Sequence, residues 1–242
     1  MFKFWAPAIL FFLSLHVQHI GFRSIFTPRY IKTRFIFFDV MSLSKKVVQV
    51  EKLYQELDRR LALFRSKSGL SCASECGRCC KKPDIEAWAI EFLPLAYRHC
   101  LEGTDQPLLN KIVESPDQIC ILFSPFILDK GFCNHYNYRG AICRLFGFSA
   151  VIDKYGQRRL STCKTIKEQS TKTYIKASEM AREWEDMPTY QYYYQKLQEI
   201  EPSLCHERLP INKAIRAALG YVMNRFYYEN EDYISENPPK AG

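Results

Sequence analysis

Between residues 45 and 66, Val47, Val50, Tyr54, Leu57, Leu61 and Phe64 recur at spacings of three and four, with Lys, Glu, Asp and Arg between them. That period gathers the apolar side chains on one face of an amphipathic helix, which needs a core to lie against. The period stops at Ser66–Leu70, and Gly77 and Pro83 keep the next stretch from forming a long regular element. It reads as a knuckle-like loop with room for one helical turn. Pro83 and Asp84 suit the start of a second helix near 84–102, with Ile85, Trp88, Ala89, Phe92 and Leu95 as apolar positions and Pro94 as a kink or division.

From Gln118 to Ser149 no helical period survives, and Pro125, Gly131, Gly140 and Gly147 separate short apolar pieces. Ala150–Asp153 and Arg158–Thr162 flank Lys154-Tyr155-Gly156-Gln157, where Gly156 can supply a positive φ. A small hairpin here would carry Cys163 back towards Cys143. Helical patterning returns over 174–185, over 188–201 between Pro188 and Pro202, and over 210–228 after Pro210. The last sets Ile211, Ile215, Ala218, Val222 and Phe226 on one face and carries Gly220 at a cost of about 1 kcal/mol. Residues 229–242, acidic and then Pro-Pro-Lys-Ala-Gly, offer little to bury and are expected to be a disordered tail. The fold expected is mainly α, with helices from both ends of the chain around an irregular cysteine-rich metal-binding centre and one small β-hairpin.

At 242 residues and 47% hydrophobic, the chain can bury a sizeable core, which excludes disorder of the whole. Half of the net charge of +8 sits in residues 1–40, as Lys3, Arg23, Arg29, Lys32 and Arg34 against Asp39. The remaining basic residues are too scattered to argue for nucleic-acid binding. Residues 1–40 hold no Cys and eleven of the 35 aromatics. The apolar run Phe4–Leu15 has the length of a signal-peptide core and falls short of the roughly 20 residues of a spanning helix. His16, Gln18 and His19 stand where a cleavage site of small residues is needed. Two readings follow: an upstream extension before a true start at Met41, or an uncleaved membrane anchor through residues 4–20. The main domain is then 41–228.

Ten cysteines are the anomaly. Cys72, Cys76, Cys79 and Cys80 put four thiols within nine residues, a density that packing does not call for. Such spacings let a tight turn aim successive thiolates at one ion or cluster, and metal–sulfur bonds then replace the apolar core that such a loop lacks. Arg78, Lys81 and Lys82 would partly offset the thiolate charge. Cys120, Cys133, Cys143 and Cys163 form a second group in the irregular middle. Cys100, in an apparent helix, and Cys205, between Pro-marked helices, read as packed or free thiols. His135 reads as a solvated or hydrogen-bonded imidazole, and disulfides are the bland alternative for the thiols.

These residues resemble the YkgJ-type cysteine-cluster family, whose members carry a zinc- or iron-chelating domain. The knot reads CASECGRCC over 72–80, and the family's second motif, C-x-I-Y-E-x-R-P-x-x-C-R, is met by CNHYNYRGAICR at Cys133, Tyr136, Arg139, Cys143 and Arg144. The chain departs at Gly140, where the family usually has Pro, and at Ser124, where it has a cysteine for which Cys120 would stand in. The resemblance implies a bound metal or iron–sulfur centre in a cytoplasmic bacterial protein, and a relation to flagellin lysine N-methylases.

Three functions remain open. The first is a metal-binding protein with an iron–sulfur cluster, 4Fe–4S in type, or zinc, in a redox or structural role. The second is an S-adenosylmethionine-dependent methyl-transfer or radical enzyme, weakened by the lack of barrel-forming strand–helix units. The third is a zinc-knuckle module that docks a protein partner. No P-loop, G-x-S-x-G or H-E-x-x-H is present. With Met41 as the start, the intact mass of the native protein should exclude residues 1–40; a mass that includes them rejects that start.

Overall fold

The computed structural model describes residues 41–72, 76–115, 119–125 and 130–236. The expectations for residues 1–40, the anchor included, lie outside the described residues. Among the described residues no helix is long and apolar enough to cross a membrane.

The first amphipathic period forms α1 (Leu43–Ser68), with Val47, Val50, Tyr54, Leu57, Leu61 and Phe64 all buried. Gly69 closes it at φ 71°, its N–H donating to Arg65 O. The single helix expected over 84–102 is replaced by three pieces: β1 (Glu86–Ala87), a 3₁₀ turn Ala89–Phe92, and α2 (Leu93–Glu102). Pro94 lies in the first turn of α2, where its missing N–H has no partner to lose, so it starts the helix instead of kinking one. Next comes α3 (Asp105–Glu114), which the apolar period had not marked.

The irregular middle contains β2 (Phe123–Pro125) and β3 (Gly131–Cys133), an antiparallel pair in which Phe123 faces Cys133, and then α4 (Ala141–Leu145). The expected hairpin is β4 (Ser149–Ile152) with β5 (Arg158–Ser161), turned at Gly156 with φ 77°. Four helices and a short strand follow: α5 (Lys164–Gln169), α6 (Thr171–Glu183), α7 (Tyr190–Ile200), β6 (Leu209–Pro210) and α8 (Ile211–Glu236). The segment expected to be a tail from 229 is thus helical through Glu236, and the Glu229 carboxylate accepts the Leu43 N–H at 2.9 Å. The chain is mainly α, and its sheets among the described residues are three two-stranded pairs rather than one hairpin.

The main core lies where α8 crosses α2 and α1. Ala214, Ile215, Ala218, Leu219 and Val222 meet Ile90, Phe92, Leu93 and Leu95, all with no exposed surface. Each such large side chain contributes about 1.5–3 kcal/mol through burial. A smaller core under the β4–β5 hairpin joins Phe64, Ala150, Ile166, Ala177 and Met187. At the N-terminal end, Glu201 receives hydrogen bonds from Lys46 and Tyr221. Burial alone would raise its carboxyl, but these donors and Ser203 bring it down to about 2.

Arg144 ties α1 to the loop before α4. Its guanidinium donates to Arg139 O at 3.0 Å and Asn137 O at 2.5 Å, pairs with Asp58, and lies over the Tyr54 ring. Only 6% of this residue is exposed. Arg144→Met keeps the aliphatic stem but strands two carbonyls and a carboxylate, which should lower stability by about 3 kcal/mol. A thermal midpoint equal to that of the parent protein would refute this role.

Candidate metal centre

The loop carrying the knot is held by backbone contacts, because few apolar side chains are available to hold it. Gly77 sits at φ 57°, and a Cβ there would meet Gly131 O at 2.7 Å and the Phe123 ring at 2.6 Å. Glycine is therefore required twice, by conformation and by close approach. The 3₁₀ turn Arg78–Lys81 then presents Cys79 and Cys80, with the Cys80 N–H bonded to Gly77 O at 3.0 Å. Cys80 O accepts the Cys120 N–H at 3.2 Å, which brings the second group of cysteines to the first.

Cys120 is fixed from the other side by Asn212, in the first turn of α8 and 1% exposed. Asn212 Oδ1 accepts the Ile121 N–H at 2.8 Å, and Nδ2 donates to Ile119 O at 2.8 Å. Both polar groups of one buried amide thus bracket the cysteine. Cys133 ends β3, opposite Phe123. Ser124, the position of the missing family cysteine, pairs with Phe132 in that hairpin, while Cys120 is buried among the thiols.

Cys143 rides on α4, whose first turn is capped by a wholly buried Glu91. Its carboxylate accepts the N–H of Ile142 at 2.7 Å and of Trp88 at 2.8 Å. Burial outweighs these donors and pushes the carboxyl up to about 7. Gly140 has φ −64°, a value that proline shares, so the departure from the family motif needs no change of backbone. Cys163 follows β5 and caps α5, its sulfur accepting the Ile166 N–H at 3.4 Å.

The thiols form overlapping neighbourhoods, with Cys79 common to them. Burial pushes Cys72 up to about 11, and the neighbouring thiols of Cys76, Cys163 and Cys79 add to it. Burial likewise pushes Cys120 up to about 11, with Cys133 and Cys79 adding. Cys143 is raised by burial, with Cys120, Glu91, Cys79 and Cys133 adding. Cys79 and Cys80 have their Sγ atoms 4.0 Å apart, close to the edge of about 3.8 Å that a tetrathiolate with 2.3 Å bonds would have. The Cys80 S–H holds the Cys79 thiol below its ordinary value, helped by Arg139, while Cys80 is raised by holding that proton and by burial.

Cys100 and Cys205 stand apart. Burial pushes each up to about 12, and the charges that bear on them are carboxylates: Asp105 on the first, Glu91 and Glu201 on the second. None of the ten cysteines is in a disulfide. Among the described residues no three His, Cys, Asp or Glu side chains close on one ion-sized point.

The donor set suits a thiophilic, anionic centre. Eight soft sulfur donors are gathered, and the buried Nε of Arg139 has no hydrogen-bond partner among the described residues, while its charge reaches Cys79 and Cys133. Asn212 and Glu91 were not visible as site residues in the sequence. Glu91 leaves one trace there, a lone acid inside the apolar run 85–95; Asn212 leaves none.

Thiols from distant segments of an otherwise helical chain stand in this region. Residues 71–174 match the CxxCxxCC family, described as "Putative zinc- or iron-chelating domain", so this stretch of the chain is similar to that family. Neither the curated proteins nor the solved structures gave a match.

Glu91 gives this region a pH dependence. Its folded value near 7 lies above the unfolded value of about 4.3, so the folded state holds the extra proton between them. Stability should fall as pH rises through that window, by about 3 kcal/mol in all. Glu91→Gln should remove this slope; denaturation curves for parent and variant that run parallel from pH 4.5 to 7.5 would disprove the assignment.

Proposed function

We propose that the eight thiols bind metal in two groups of four, Cys72, Cys76, Cys79 and Cys163 in one, Cys80, Cys120, Cys133 and Cys143 in the other. The observation that carries this reading is the pattern of thiol neighbours: Cys72 has Cys76, Cys163 and Cys79, Cys143 has Cys120, Cys79 and Cys133, and Cys80 has Cys79, Cys143 and Cys120. Cys79 stands between the groups, and membership in the first group follows from its short spacing to Cys76.

At least one group holds an iron–sulfur cluster, of the 4Fe–4S type, and zinc is the alternative occupant of the other. Supporting iron, the second group is drawn from four separate segments, the knot, the Cys120 loop, β3 and α4. A bulkier inorganic core between the sulfurs suits such a spread. When bound, a cluster of this kind supplies one-electron redox chemistry or a structural staple.

The chain's own residues tune that centre. The His135 N–H donates to the Cys133 sulfur and Arg139 stands beside Cys79 and Cys133, so both offset thiolate charge. Cys72 and Cys79 are exposed, which gives an electron a short route to a partner at the surface. Ten unpaired thiols favour a reducing compartment, hence the cytoplasm.

Anaerobically purified protein should be brown, with thiolate-to-iron absorption and an EPR signal on reduction. Cys79→Ser should lower the bound metal by emptying its own group, and Cys205→Ser should leave the metal content intact. A colourless protein with stoichiometric zinc would overturn the iron assignment, and loss of metal in Cys205→Ser would overturn the choice of thiols.

A further inference from the structure

Two imidazoles outside the thiol set lie close together, each with a ring nitrogen that has no partner among the described residues. His99, on α2 and 8% exposed, lies with its ring centroid 5.0 Å from that of His135, which opens the 3₁₀ turn Tyr136–Tyr138. His99 Nε2 and His135 Nδ1 are both buried and have no hydrogen-bond partner among the described residues. A buried ring nitrogen left unpaired is destabilising, so each of the two calls for a partner.

His99 Nδ1 lies 2.7 Å from the Thr104 hydroxyl oxygen, so that nitrogen is occupied. When the hydroxyl accepts from Nδ1–H, Nε2 carries the lone pair. A ring held through one nitrogen with the other free is the arrangement of a metal-ligating histidine and its orienting neighbour. On one tetrahedral ion with bonds of about 2.0–2.1 Å, two imidazoles place their centroids about 5 Å apart, which matches the observed spacing.

We propose that His99 and His135 form a nitrogen-ligated site for a borderline divalent transition-metal ion such as Zn²⁺, separate from the thiol groups. The carboxylate of Glu102, paired with Arg98, acts electrostatically on both rings, Asp105 adds to it at His99, and Lys111 opposes it at His135. Among the described residues no third side chain closes on the pair, so water would complete the shell. An ion of this class prefers imidazole nitrogen, and the open positions leave the site exchangeable rather than structural. Because the His135 backbone N–H also holds the Cys133 sulfur, occupancy would fix the segment that carries Cys133.

The test is a Co²⁺ titration of the protein as isolated, with its thiol metals in place. One equivalent should bind with weak visible bands and no sulfur-to-cobalt charge transfer. His99→Gln and His135→Asn should each weaken that equivalent at least about tenfold and leave the thiol metals bound. Unchanged binding in both variants overturns the site, and so does a bound equivalent that carries sulfur-to-cobalt absorption. If either variant does not fold, ¹⁵N spectra of the unmutated, zinc-loaded protein decide. Zn²⁺ added beyond the thiol complement should move His99 Nε2 and His135 Nδ1, and unmoved signals overturn the proposal.

Discussion

The hydrogen bond from the Cys120 N–H to Cys80 O, 3.2 Å long, is the contact on which the thiol arrangement depends. It closes a long excursion of chain and sets the second group of cysteines against the first. Beside it, Gly77 and Gly131 approach so closely that a methyl group on either would overlap the other strand or the Phe123 ring. A loop with little apolar surface cannot be positioned by burial, so its backbone polar groups must be satisfied by specific partners. Here the partners sit on helices: Asn212 on α8 for the Cys120 segment, Glu91 before α2 for the Cys143 turn, and Asp58 on α1 for Arg144.

The same geometry creates an electrostatic demand. Burial and neighbouring sulfurs keep Cys72, Cys120 and Cys143 protonated, while the adjacent Cys79 is inclined to ionise. Thiols crowded in this way repel one another as thiolates, and a cation relieves both the repulsion and the desolvation. Metal binding there would release protons and add its free energy to folding. The helical scaffold has its own core, since α1, α2 and α8 pack mainly through aliphatic and aromatic side chains.

Much of the scaffold is written in the apolar period. The faces of α1 and α8 are the ones their spacing marks, and the β4–β5 hairpin turns at the glycine that the sequence singled out. Where the reading missed, a local signal had two meanings. Pro94 can kink a helix or begin one, and only the pairing of Glu86–Ala87 with Leu209–Pro210 shows that no helix precedes it. The acidic run after Glu229 looked unable to bury anything, yet Glu229 caps the start of α1 and the helix continues past it.

The sequence by itself determined which atoms are available. Four thiols within nine residues, and a second set at matching motif spacing, mark sulfur chemistry wherever the chain places them. It also determined the helices, because a repeat of 3.6 residues is a local property. The spacing and local pattern already set Cys100 and Cys205 aside; how the remaining thiols lie beside one another was decided only in three dimensions. Partnership across long stretches of chain rests on single backbone and amide hydrogen bonds, Cys120 to Cys80 and Asn212 to Ile121, and these leave no periodic trace in the order of the residues.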